Sequence, residues 1–215
     1  YSYAHVPWIK GVGQRGYDEH DLPSADEKRV LYEEGKRMLH EIGYVEIGMD
    51  HFALTTDNMH EAMLEKSLHR NFMGYTAGKT KLMIGLGMSS ISDSWYSFAQ
   101  NVKTVEEYQA LVNNGEIPFF RGHLLNEEDL VIREHILNIM CHFETNWSAE
   151  HLKFPELDKC IARLQEMEKD GLVIFTEDGI RLPEEARPFV RNVCMAFDLR
   201  LLRNKPSTRV FSMTI

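Results

Sequence analysis

The sequence is short of several things, and each shortage closes off a class of function. It has only three cysteines, Cys141, Cys160 and Cys194. They are widely separated, odd in number and without a C-x-x-C pair, which excludes a disulfide scaffold or a zinc ribbon and suggests a reducing compartment. No apolar run approaches the roughly 20 residues that span a bilayer, and no segment reads as a signal peptide. Basic residues are in deficit: 24 Lys+Arg against 33 Asp+Glu give a net charge of -9. A chain so acidic is poorly suited to nucleic acid or an anionic membrane as its main partner. Expected, then, is a cytoplasmic protein in which any grip on an acidic small molecule comes from a local basic pocket.

What is present supports a folded chain of one or two domains, since 43% of 215 residues are hydrophobic and can bury a substantial core. The sequence opens without methionine on "YSYAHVPW", whose strand-forming residues call for neighbours; upstream residues are expected. Tyr1 to Val6 reads as a strand and "KGVGQRGYDEHDLP" as a loop. Ser24 and Glu27 then form an S-x-x-E capping box before a helix with Val30, Leu31, Met38, Leu39 and Ile42 at helical spacing, ended by Gly43. "YVEIG" reads as a buried strand. Strand, loop, helix, strand predicts a parallel βαβ unit, which places Asp50, His51 and Phe52 of "GMDHF" at the ligand-bearing carboxyl end of a strand.

A helix over about 57–68 leads to "LHRNFMGYTAG", a presumed loop in which His69, Arg70, Asn71 and two aromatics crowd together. "KLMIGLGMSSIS" and "WYSFAQN" read as strands, and Thr104 with Glu107 repeats the capping pattern before another helix. From Asn126 the chain turns helical: a helix capped by Asn126, another over about 155–170, a hairpin at Asp178–Gly179, and a last helix in "PEEARPFVRNVCMAFDLRLL". This helix, helix, hairpin, helix series has a winged-helix flavour. Without an arginine-rich recognition helix it does not point to DNA.

Three constellations invite chemistry. His5, Asp50, His51 and His69 fit no metal-binding spacing, and hydrogen-bonding histidines are the simpler reading. "GLGMSS" has a G-x-G but lacks the rest of a dinucleotide fingerprint. Its glycines either let a flat ligand approach the backbone or make a bulge that packs on the chain itself. Arg70 and Arg121 are fork donors for carboxylates, Arg70 the better placed of the two. The methionines at 38, 49, 59, 63, 83 and 88 read as core filler.

Together "YAHVP", "GYVEIGMDHFA", "LHRNFMGYT", "GLGMSSIS", "SFAQN" and "RNVCMAFD" resemble, in order and across the chain, oxygen-independent coproporphyrinogen III oxidase, a radical S-adenosylmethionine enzyme. The runner-up is the related group of haem chaperones. A binding module without enzymatic activity is a further rival. The resemblance implies oxidative decarboxylation of two propionates of coproporphyrinogen III to give protoporphyrinogen IX in haem synthesis. It implies two S-adenosylmethionine molecules, a [4Fe-4S] cluster, an electron donor and acceptor, and a monomer. The family's C-x-x-x-C-x-x-C cluster motif is absent from these residues, so the chain resembles a carboxyl-terminal fragment expected to be inactive by itself. The implied fold is α/β plus α: residues 1–122 as the late strands and helices of an incomplete (β/α) barrel, and 123–215 as a mainly helical domain with a small hairpin. Ala4 and Ile91 match S-adenosylmethionine contacts. Asp50, His51, His69, Arg70 and Tyr75 match motif positions and become candidates for the substrate site.

Overall fold

In the computed structural model, residues 5, 13, 14 and 16–204 are described. The first helix, α1 (Ala25–Glu41), begins as expected: Ser24 Oγ accepts from Glu27 N, and the Glu27 carboxylate accepts from Ser24 N at 2.8 Å. Gly43, at φ 92°, lets the chain turn out of it. Its apolar stripe is not covered, for Val30, Leu31, Met38 and Ile42 are all exposed. What ties α1 down is polar, with Tyr32 Oη donating to Glu46 at 2.5 Å and Lys36 paired with the same carboxylate.

The parallel partner expected for "YVEIG" lies outside the described residues, and within them the strand has a different neighbour. β1 (Tyr44–Gly48) is followed by β2 (His51–Leu54), paired antiparallel to it. The reason lies in the connection: Gly48, Met49 and Asp50 take φ of 152°, 38° and 62°, and this run of left-handed backbone reverses the chain within three residues. Asp50 therefore sits exposed on a hairpin turn, and not at the mouth of a parallel strand. The expected strand over Tyr1 to Val6 lies outside the described residues apart from His5.

After α2 (Asn58–Leu64), the presumed loop is a hairpin, β3 (His69–Asn71) with β4 (Gly74–Thr76). β5 (Leu82–Met83), β6 (Ile91–Ser94), β7 (Ser97–Asn101) and β8 (Phe119–Leu124) form an antiparallel sheet in that order, with α3 (Val105–Asn113) between β7 and β8. Every strand pair among the described residues is antiparallel and no barrel closes there. β8 has no counterpart among the elements expected from the sequence, and its span crosses residue 122.

The helical part begins at α4 (Glu127–His142), where Asn126 and Asp129 complete a second capping box. β9 (Glu144–Asn146) joins the expected hairpin, β10 (Ile174–Phe175) and β11 (Gly179–Arg181), as a third strand. α5 (Leu157–Lys169) precedes that hairpin. The expected last helix is broken into a 3-10 turn over Glu184–Phe189, α6 (Val190–Met195) and α7 (Leu199–Arg203), because Pro188 cannot donate into a continuous α-helical ladder.

α4 is the axis of the core, packed on α6, β9 and β3. Ile139, Leu164, Val190 and Phe197 are fully buried around it, each a gain of roughly 1.5–3 kcal/mol over leaving it in water. Among them His135, wholly buried, is satisfied at both ring nitrogens: Nδ1 lies 2.8 Å from Thr145 Oγ1 and Nε2 2.8 Å from the Leu152 carbonyl. Burial holds its pKa below the usual histidine value, so the ring is neutral, with Nε2–H donating to Leu152 and Nδ1 accepting from Thr145. Met49, Met59 and Met63 do pack on the core, whereas Met38 and Met88 are exposed.

Candidate functional site

The hairpin β3–β4 turns through Phe72 and Met73, pairing Asn71 with Gly74. Gly74 is required twice over: its φ is 135°, and a Cβ there would lie 2.9 Å from His51 Nε2. Opposite Arg70 on the neighbouring strand is Tyr75, and the guanidinium carbon lies 4.6 Å from the centre of its ring. The Tyr75 hydroxyl donates to the Met140 carbonyl at 2.8 Å, fastening the hairpin to α4. Burial pushes that phenol well above its ordinary pKa, so it stays a donor. Gly48 makes room for it, since a Cβ there would come within 2.7 Å of the Tyr75 oxygen. His51 stands edge-on to the same ring at 5.1 Å, with Nδ1 2.7 Å from the Met49 carbonyl.

His51, Arg70 and Tyr75 are thus brought together. His69 and Asp50 are not part of that group. Successive strand residues face opposite ways, so His69 turns to a small pocket of about 290 Å³ shared with Lys66, Lys79, Trp95 and His142. Burial, reinforced by Lys79 and Arg133, lowers its pKa. Arg70 lines a larger cleft of about 800 Å³, between the hairpin, β6–β7 and helices α4, α6 and α7. Its Nη1 is buried and has no hydrogen-bond partner.

Two ion pairs in that cleft had no signal in the sequence, because their partners are distant along the chain. Arg133 donates to Asp93 at 2.8 Å and to the Ser94 carbonyl at 2.7 Å, with its guanidinium over the rings of Trp95 and Phe98. Arg200 grips Asp129 through two bonds of 2.7 Å. The Arg200 hydrogen bonds hold the Asp129 carboxyl down at about 2. Arg121, the other arginine singled out, lies exposed on β8 and donates to Gln100 at 2.9 Å.

Ile91 opens β6, half-buried. Asn101 N donates to the Ser90 carbonyl, so ladder alternation turns the N–H and C=O of Ile91 away from β7, toward Gly85. Gly85 is close enough that a Cβ would meet the Ile91 oxygen at 2.7 Å. Asn101 Nδ2 bridges the carbonyls of Gly85 and Gly87 at 3.1 and 2.9 Å. The "GLGMSS" glycines here pack on their own chain. Ala4 lies outside the described residues.

No group of three or more His, Cys, Asp and Glu among the described residues is arranged to hold a metal. The three thiols are buried, and burial pushes Cys141, Cys160 and Cys194 up to about 12, 11 and 12. No described helix is long and apolar enough to cross a membrane.

No family model matches the chain. Individual proteins do. The oxygen-independent coproporphyrinogen III oxidase of Salmonella typhimurium is 36% identical over 220 residues, covering 100% of this chain and 48% of the relative. That of Escherichia coli is 35% identical over 222 residues with the same coverage, and that of Helicobacter pylori strain 26695 is 34% identical over 206 residues. In structure, the coproporphyrinogen III oxidase HemN of Escherichia coli, described as a radical SAM enzyme, superposes with a TM-score of 0.82 at 36% identity, covering 93% of this chain and 47% of that one. The chain spans about half the length of the curated relatives it matches, and across the whole of its own length it is a homologue of the oxygen-independent coproporphyrinogen III oxidases.

Proposed function

We propose that this chain is the carboxyl-terminal part of an anaerobic coproporphyrinogen III oxidase, which converts two propionate side chains to vinyl groups and yields protoporphyrinogen IX in haem synthesis. The observation that carries the reading is the match along the entire chain at 35–36% identity, joined to a TM-score of 0.82 at 36% identity. In this reading residues 1–122 belong to the late part of a radical S-adenosylmethionine barrel and 123–215 to a helical domain, the whole acting in the cytoplasm as a monomer with an electron donor and an electron acceptor.

The [4Fe-4S] cluster of such an enzyme does not fit these residues. Its ligands are thiolates, whereas Cys141, Cys160 and Cys194 are buried thiols whose pKa is raised far above neutrality. No C-x-x-x-C-x-x-C run occurs in the 215 residues. The radical step is therefore assigned to other residues of the parent protein. What this chain would supply is shape and recognition: Ile91, whose backbone polar groups lie outside the β6–β7 ladder, and Ala4 toward S-adenosylmethionine; Arg70, with Tyr75 and His51 beside it, toward the substrate, where it is best placed to meet a propionate, while Asp50 and His69 stand apart from that group.

The test is anaerobic product analysis. The parent polypeptide, reconstituted with iron and sulfide, is expected to turn coproporphyrinogen III into a product lacking two carboxyl groups. The 215-residue chain treated in the same way is expected to show neither cluster absorbance nor S-adenosylmethionine cleavage. Unchanged tetracarboxylate from the parent would move the protein to the haem-trafficking relatives, and radical cleavage by the short chain would refute the division of labour.

A further inference from the structure

Arg70 carries a charge without a resident counter-ion. The acids of its cleft are all spent elsewhere: Asp93 on Arg133, Asp129 on Arg200, and Asp198 on the Leu201 N–H at the start of α7. Its nearest polar neighbours offer nothing negative either. Tyr75, which shares a hydrogen bond with the guanidinium, is a buried neutral phenol that donates to Met140, and Cys141 and Cys194, which feel the guanidinium, remain neutral thiols. Burying one nitrogen of a guanidinium unpaired is costly, and proteins keep such costs where a ligand repays them. Around it the wall is apolar, built from Met49, Phe98, Ile136, Leu137 and Met140. The volume of about 800 Å³ falls in the range of ligand pockets.

We propose that Arg70 is the floor of a carboxylate-accepting subsite in the cleft between hairpin β3–β4 and helices α4 and α6, taking one acidic arm of an amphipathic ligand whose flat body lies on the apolar wall. That the ligand is a tetrapyrrole propionate rests on the function proposed above; the carboxylate subsite itself rests on the geometry. His69 takes no part, since it faces the opposite pocket.

The test is fluorescence titration of the protein with coproporphyrin III and with its tetramethyl ester, and displacement by 3-phenylpropionate, in wild type, Arg70→Gln, Arg70→Lys and the surface control Arg37→Gln. Expected are tenfold or weaker binding of the ester, a similar loss for Arg70→Gln, a smaller loss for Arg70→Lys and none for Arg37→Gln. A melting curve without ligand adds an independent readout. Removing an unpaired buried charge should leave the melting temperature of Arg70→Gln equal or raised, while a guanidinium serving only to brace Tyr75 predicts a lower one with unaltered binding. Equal binding of acid and ester, or binding indifferent to Arg70, overturns the subsite and leaves the enzyme reading standing. Binding of 3-phenylpropionate that needs Arg70, without binding of coproporphyrin, keeps the subsite and counts against the tetrapyrrole. If neither probe binds, the subsite is overturned.

Discussion

The surroundings of α4 and the sheet β5–β8 are both made of alternating apolar and polar residues, yet they use them differently. Around α4 the apolar side chains meet: Ile139, Cys160, Leu164, Val190, Val193 and Phe197 belong to one cluster that reaches back to Ile47 and Tyr75. The sheet β5–β8 adds no side chain to that cluster. Leu82, Phe120 and Leu124 of the sheet, with Ile84 and Leu86 just after β5, are more than half exposed, at 57, 53, 81, 66 and 82%, and they line one groove, the kind of apolar surface that marks a contact face. A sheet needs a second layer to bury its face; where β6 and β7 meet Arg133 of α4 there is one, but the apolar side chains just named have no cover among the described residues. The cleft of Arg70 lies where the two regions adjoin, with β6 and β7 on one side and α4 on the other.

The contrast places the largest stability effects on the α4 side. Phe197 is fully buried and stacks on His135 with ring centres 5.0 Å apart. Phe197→Ala should cost about 3–5 kcal/mol, through lost burial and the cavity left behind. Urea denaturation checks it, and a loss below about 1 kcal/mol would mean that the core around α4 is looser than its geometry.

A smaller effect is expected where the cleft wall is polar. Asp129 is 8% exposed and doubly bonded to Arg200. Its folded pKa, about 2, lies below the ordinary 3.8, so its contribution is complete above pH 4 and disappears as pH falls through 2. The shift corresponds to about 2 kcal/mol. Asp129→Asn should therefore lose about that much at pH 7, with the gap to wild type closing as pH falls from 4 toward 2. A gap that stays constant with pH would show that the loss does not come from the carboxylate's charge.

The same contrast explains what was readable beforehand. Helix starts were legible because they are local: Ser24 with Glu27 and Asn126 with its acidic first turn lie within four residues of each other. The β1–β2 hairpin was not, for its turn rests on the left-handed backbone of Met49 and Asp50, residues without the usual glycine signature. β9 carries no local signal because three residues, Glu144 to Asn146, acquire strand form only by pairing with β11. In the site, Arg70 and Tyr75 stood out because they share one motif. Asp129 and Arg200 lie 71 residues apart, and His135 satisfies its ring only through Thr145 and Leu152, contacts that only the folded chain creates.

The smallest effect belongs to the exposed sheet. Phe120 is 53% exposed on β8, with the Lys103 ammonium 5.0 Å from its ring centre. Phe120→Ser removes little buried area and one solvent-exposed cation–π contact, so the isolated chain should lose less than about 0.5–1 kcal/mol. A loss approaching that of Phe197→Ala would show that this face is covered in solution, and the contrast between the two regions would then lie in what meets each of them and not in how each is built.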